Sequence, residues 1–156
     1  MLPWFCAGFG SGWLPCMPGT WGSLAALAAA WLLVHTLGYQ ALLMAWIVLL
    51  PLACWACAPV LGGLSDTDPG WIVIDEWLGQ WLCLLIMLPV TGMHVWAWLA
   101  AFVSFRALDI MKPWPVSACE RWGRPWWSIH ADDLMAGIIA GLVLGGAAWL
   151  WQGGWR

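Results

Sequence analysis

Long apolar runs, broken by glycine, proline and small charged clusters, organise this chain. The first run extends from about Leu24 to Leu37, is opened by Pro18-Gly19-Thr20-Trp21-Gly22-Ser23 and is broken by Gly38. The second extends from about Ala41 to Ala58 and stops at Pro59, where the polar loop Gly62 to Gly70 begins. The third starts near Trp71, carries Asp75 and Glu76 in its first turns and ends at Pro89, with Thr91-Gly92 as a short turn. The fourth covers about Val95 to Met111 and ends at Pro113; a second polar loop, Trp114 to His130, precedes the last run, Leu134 to Trp151. The runs are continuous and do not alternate, which argues for helices and against a transmembrane β-barrel. The last run, if helical, is about 27 Å long, close to the roughly 30 Å of a bilayer's hydrocarbon. The pattern predicts an all-α, polytopic transmembrane helical bundle of about five membrane-embedded helices, with residues 1–156 as a single membrane-embedded domain.

Composition points to the same solvent. Hydrophobic residues make up 63% of the chain and charged residues 8%, against about 25% charged in soluble domains. Too few charges exist to cover a water-facing surface, and a mean hydropathy of +0.82 agrees. The 18 tryptophans suit headgroup-level anchoring, but there are too many for anchoring alone, so some are expected in packing. Five Lys and Arg residues leave no basic surface for nucleic acid. The start, Met1 to Phe5, shows no signal-peptide pattern. Arg106, Lys112, Arg121 and Arg124 all lie around the loop before the last helix. The positive-inside rule then predicts that loop to be cytoplasmic. Alternating five spans from there predicts an inside N-terminus. The start of the first helix, the loop before the third and the loop before the fifth then share one face.

Five of the eight acids, Asp75, Glu76, Asp109, Asp132 and Asp133, are expected at helix ends on that face. A charge at a bilayer centre costs about 2.5–3.5 kcal/mol on insertion scales. Five acids therefore must lie at the interface, pair with cations or bind metal, and are functional candidates by default. Asp75-Glu76 and Asp132-Asp133 are adjacent acidic pairs, and oxygen-only ligands favour Mg²⁺ over softer ions. Helix capping is the bland reading; it explains one residue before the last helix but not two pairs together with Asp109. Arg106, Asp109 and Lys112, three residues apart, share a helical arc of about 120°. They read either as a salt-bridge ladder or as a carboxylate flanked by two phosphate-binding cations. The Gly-rich stretches Gly8 to Gly12 and Pro18 to Ser23 can offer backbone N–H groups and hydroxyls to a phosphate, although a simple turn at a helix start explains them too.

Other motifs carry less. Asp66-Thr67-Asp68 resembles an aspartyl-phosphate signature but lacks the preceding strand which that chemistry needs. The CxxC of Cys54 and Cys57 sits inside an apolar run and reads as small helix residues. His35, His94 and His130 show no metal spacing, and only His130 lies near the acids.

Four blocks in order carry a resemblance: Gly10-Ser11-Gly12 with Pro18 to Ser23; Asp68 to Gly79; Phe105-Arg106 through Asp109 to Lys112-Pro113-Trp114-Pro115; and Asp132 to Gly137. Over roughly residues 8 to 141 the chain resembles the phosphatidylglycerophosphatase A family. Trp77 departs from a usual Phe, and Pro125-Trp126-Trp127-Ser128 lacks expected glycines. The resemblance implies a multi-pass enzyme of the bacterial inner membrane with its site facing the cytoplasm. It implies Mg²⁺-dependent hydrolysis of the terminal phosphate of phosphatidylglycerophosphate to give phosphatidylglycerol. The family's motif positions match Asp75, Glu76, Arg106, Asp109, Lys112, Asp132 and Asp133. The acids are expected as metal ligands and catalytic groups, and Arg106, Lys112, Thr20 and Ser23 as phosphate-binding residues. Attack by an activated water with a carboxylate as general base, or by an aspartate through a phospho-enzyme, both remain open. The reading from another class is a small ion- or proton-coupled transporter that uses the same acids.

Overall fold

Helices form along the apolar runs, with boundaries set by the residues that flank them. The computed structural model describes residues 1–66, 68–121 and 123–153. Its elements in order are α1 (Leu2–Cys6), a 3₁₀ turn (Ser11–Trp13), α2 (Pro18–Leu37), α3 (Tyr39–Gly62), α4 (Ile74–Thr91), α5 (Val95–Met111), α6 (Val116–Cys119) and α7 (Pro125–Trp151). No strand occurs among the described residues. Pro18 and Pro125 open α2 and α7, where a missing N–H costs nothing and a fixed φ helps. Gly38, at φ 86°, separates α2 from α3. α3 continues through Pro51 and Pro59 to Gly62, past the expected stop, as membrane helices tolerate.

The last helix is the main correction to the sequence reading. α7 begins at Pro125 rather than near Leu134. Trp126 and Ile129, which pack on the core, start its apolar face early. Asp132 and Asp133 therefore lie two turns inside the helix, where they cap nothing, and the Pro125 to Ser128 stretch forms its first turn.

Four helices, α2, α3, α4 and α7, are long and apolar enough to cross a membrane. The 17-residue α5 is the fifth long helix, shorter than the others and carrying Arg106 and Asp109 near its end. Large apolar side chains such as Leu32, Ile47, Val48, Val103 and Val143 point outward, a surface that only lipid solvates well. The chain is a membrane protein. α4 is its centre: 67% of its span is buried, against 22–28% for the other three. Indole N–H groups tie the ring to that centre, as Trp46 donates to the Leu78 carbonyl at 2.9 Å and Trp81 to the Ala26 carbonyl at 2.8 Å. These tryptophans pack rather than anchor. The cysteines of the CxxC stay within α3, and the Cys57 thiol rests 3.3 Å from that of Cys6.

α4 and α7 make the most extensive helix contact, and glycine permits it. A Cβ on Gly79 would stand 2.6 Å from the Asp133 carbonyl oxygen, and one on Gly137 would strike the Gly79 backbone. Gly141 continues the seam, where a Cβ would stand 2.8 Å from Ile86 Cβ. The spacing Gly137, Gly141, Gly145 is the small-residue pattern that lets membrane helices approach at backbone distance.

Substituting Gly137→Val should force the two helices apart and lower the detergent-solubilised protein's thermal midpoint by about 5 °C or more, the scale of overpacking by about 2 kcal/mol. Gly146→Val, where nothing lies within 4 Å, should leave the midpoint unchanged.

Candidate functional site

The starts of α2, α4 and α7 and the end of α5 meet at one end of the bundle. Between them lies a cleft of about 400 Å³. Six carboxylates line it, Asp68, Asp75, Glu76, Asp109, Asp132 and Asp133, with two cations, Arg106 and Lys112. Fully ionised, that is an excess of four negative charges.

The glycine crossing sets the spacing of the acids. Gly79 lies one turn beyond Asp75 and Glu76, and Gly137 one turn beyond Asp133. Backbone contact at that level brings ligand oxygens of Asp75, Glu76 and Asp133 within 4.8 Å of one another. Asp75 and Asp133 are buried, at 6% and 4% exposure. Two carboxylates at this distance repel by on the order of 3 kcal/mol at an effective dielectric near 20. The N-terminus of α4 offsets part of this for Asp75 and Glu76, which sit in its first turn; Asp133, inside α7, has no such help. Glu76 Oε2 and Asp132 Oδ1 are buried without a hydrogen-bond partner. Close oxygen donors, excess negative charge and unpartnered carboxylate oxygens all fit a hard divalent cation such as Mg²⁺.

The two cations are held separately. Arg106 pairs through Nη1 with Asp109, lies 3.8 Å from Glu76 Oε1, and donates to Ser23 Oγ at 3.5 Å. Its Nε is buried without a partner. A Cβ on Gly19 would overlap Glu76 Oε1 and stand 3.1 Å from the guanidinium, so glycine at the start of α2 makes room for both. Lys112 Nζ donates to Glu120 Oε1 at 2.6 Å and to Asp132 Oδ2 at 2.7 Å. Partial burial works to lower its pKa, but the hydrogen bonds to Asp132 and Glu120 outweigh that and raise it, so the ammonium stays charged at all ordinary pH. Lys112 closes α5 in the left-handed region, φ 43°, which costs a non-glycine residue on the order of 1 kcal/mol or more. That geometry aims the ammonium into the cleft.

All seven charged residues expected from the sequence converge on the cleft. Asp75, Glu76 and Asp133 stand closest together; Asp109 pairs with Arg106 and also meets the Asp133 carboxyl, and Asp132 pairs with Lys112. Thr20 and Ser23, expected to bind phosphate, do not line the cleft. α2 already winds from Pro18, and the cleft wall there is Met17, Pro18 and Gly19. Ser23 is buried, donates to the Gly19 carbonyl at 2.9 Å and reaches the site only through Arg106. The Thr20 hydroxyl is buried off the cleft. Gly8 and Gly12 pack against Trp77, Val73 and Trp71, so this stretch shapes the start of α4 and does not line the cleft. His130 faces Ala53 of α3. The Asp66–Asp68 motif follows a helix, its Thr67 lies outside the described residues, and only Asp68 reaches the rim. Gly19 and Glu120 were missed. Gly19 stands within a quoted motif, but nothing in its identity marks it as a wall; Glu120 is a lone acid in a loop.

The family model for phosphatidylglycerophosphatase A matches residues 4–148. A phosphatidylglycerophosphatase A of Escherichia coli is 37% identical over 145 residues, covering 91% of this chain and 81% of that protein. One of Haemophilus influenzae is 35% identical over 138 residues, 88% of this chain and 82% of its own length. A Bacteroides thetaiotaomicron protein, 35% identical over 146 residues (92% of this chain and 91% of that protein), bears the provisional name phosphatidylinositol-3-phosphatase. No solved structure matches the chain.

A cation bound by these repelling acids would have a thermal signature. In EDTA, Asp133→Asn should raise the apparent midpoint, because one repelling charge is gone. Mg²⁺ should raise the wild-type midpoint, as ligand linkage requires, and leave that of the variant unmoved. Thermal scans with and without millimolar Mg²⁺ check both signs.

Proposed function

The chain belongs to the phosphatidylglycerophosphatase A family, and on that premise we propose that it is a Mg²⁺-dependent phosphatase that hydrolyses the terminal phosphate monoester of phosphatidylglycerophosphate to give phosphatidylglycerol. The observation that carries this reading is the three-carboxylate cluster, with oxygens within 4.8 Å, in one cleft with Arg106 and Lys112. Negative groups that attract a divalent cation stand beside positive groups that attract phosphate, as charge neutralisation of a phosphoryl transfer requires.

Asp75, Glu76 and Asp133 would hold the Mg²⁺, which when bound supplies positive charge to the phosphoryl oxygens. Arg106 offers a planar fork for two of those oxygens, and Asp109 keeps the fork oriented. Lys112 offers a point charge from the end of the same helix, held by Glu120. Asp132 has one oxygen on Lys112 and one without a partner. The free oxygen is suited to take a proton from the attacking water as the phosphorus–oxygen bond to the glycerol breaks, and to return that proton to the departing glycerol oxygen, leaving free phosphate. Carrying an ion across the bilayer would call for acids along its middle; here the acids and both cations gather at one end, which favours the enzyme over a transporter. Arg121 and Arg124 flank the same end, which supports a cytoplasm-facing site in the bacterial inner membrane. The lipid then presents its headgroup to the cleft while its chains stay in the bilayer.

Phosphate release from phosphatidylglycerophosphate by the purified protein tests this. Wild type should turn over with Mg²⁺ and stop in EDTA, and Asp75→Asn should lose about 10²- to 10³-fold in kcat. Undiminished release in EDTA, or by the variant, would contradict the proposal. Gly19→Ala, which displaces Glu76 and Arg106, should lose about 10- to 100-fold in kcat/KM.

A further inference from the structure

α2 and α5 both wall the cleft and run on from it in contact with each other. At the rim are Met17 and Ile110, both exposed and both part of the cleft wall. Deeper between the same two helices lies an apolar groove of about 320 Å³, walled by Leu27, Ala28 and Trp31 of α2 and by Val95 and Leu99 of α5, with Trp98 buried at its floor. Leu99 and Val95 precede Arg106 by 7 and 11 residues, so the groove lies about 10 to 17 Å deeper along the α5 axis. That offset leaves room for the headgroup glycerol, the phosphodiester and the glycerol backbone that separate a terminal phosphate at Arg106 from the first carbons of a chain in the groove.

We propose that this groove seats one acyl chain of the lipid whose phosphate binds at Arg106 and Lys112, an inference that rests on the phosphatase reading. Continuity identifies the occupant. The helix that carries Gly19 and the helix that carries Arg106 and Asp109 wall the cleft at one end and the groove further along. A second apolar groove, lined by Leu2, Phe5, Leu52 and Trp55 between α1 and α3, offers similar chemistry. Neither of its helices contributes a residue to the cleft, so a lipid bound at Arg106 has no path into it. Ala28 is the smallest wall residue and opens the α2–α5 groove where a branched or aromatic side chain would close it. Seating a chain here would let the enzyme hold a lipid phosphate in preference to soluble phosphate monoesters, because the chain's packing contacts with the groove have no counterpart in a soluble ester.

The test compares dipalmitoyl and dibutyryl phosphatidylglycerophosphate in detergent micelles. Ala28→Trp should fill the groove and raise KM for the dipalmitoyl lipid about tenfold through lost packing contacts with the chain, with kcat and the dibutyryl kinetics unchanged. A dipalmitoyl analogue with a mid-chain diazirine, photolysed on the wild-type protein, should label peptides containing Leu27–Trp31 or Val95–Leu99. Equal changes for both lipids, no change for either, or labelling confined to Leu52–Ala56 would overturn the groove's role and leave the phosphatase reading intact. Failure of wild type to hydrolyse either lipid would end that reading and the groove's role with it.

Discussion

The backbone contact between α4 and α7 at Gly79 and Gly137 is what the rest of this molecule depends on. Two membrane helices gain little from hydrophobic burial against each other, because lipid is as apolar as they are. They associate through close packing, and glycine permits the closest. One turn above the crossing stand Asp75 and Glu76 on one helix and Asp133 on the other. Their mutual distance follows from the crossing, since larger residues at Gly79 or Gly137 would hold the helices apart and spread the acids. The same sequence feature that stabilises the bundle therefore sets the geometry of its charged cluster.

That geometry carries an electrostatic cost, and the division of the charges shows how it is met. Asp109 and Asp132 are neutralised within the protein by Arg106 and Lys112. Asp75, Glu76 and Asp133 lack a full counter-charge of their own: Arg106 reaches Glu76 only at 3.8 Å, and the α4 N-terminus serves only two of the three. A bound divalent cation would offset the repulsion within such a buried like-charge cluster. With a divalent ion on the acids, the paired cations are positioned to meet an anionic substrate. The cleft thus holds the acidic cluster beside two separately paired cations, at one end of the bundle.

Much of this was legible in the sequence because membrane solvation makes the signals strong. Continuous apolar runs in a chain with 8% charge leave helices as the only plausible spans, and charges too costly for lipid mark the site by their presence. What escaped has a physical reason in each case. The start of α7 was drawn too late because Trp126, Trp127 and Ile129 lie among polar residues, and Pro125 reads as readily as loop as it does as a first helical turn. Thr20 and Ser23 were assigned by residue chemistry, but their orientation is set by the helical rotation that begins at Pro18. Glu120 gave no periodic or motif signal, and its role comes only from tertiary contact with Lys112. The glycine seam was visible as Gly137, Gly141 and Gly145 at four-residue spacing, but a spacing alone does not name the facing helix.

The central claim is that the α4–α7 crossing builds one divalent cation site from three carboxylates. A crystal structure of the protein grown with Mn²⁺ as an anomalous stand-in for Mg²⁺ tests it most directly. The expected result is an anomalous peak at coordination distance, about 2.0–2.3 Å, from oxygens of Asp75, Glu76 and Asp133. A strong peak elsewhere, or none with these side chains ordered as described, would contradict it.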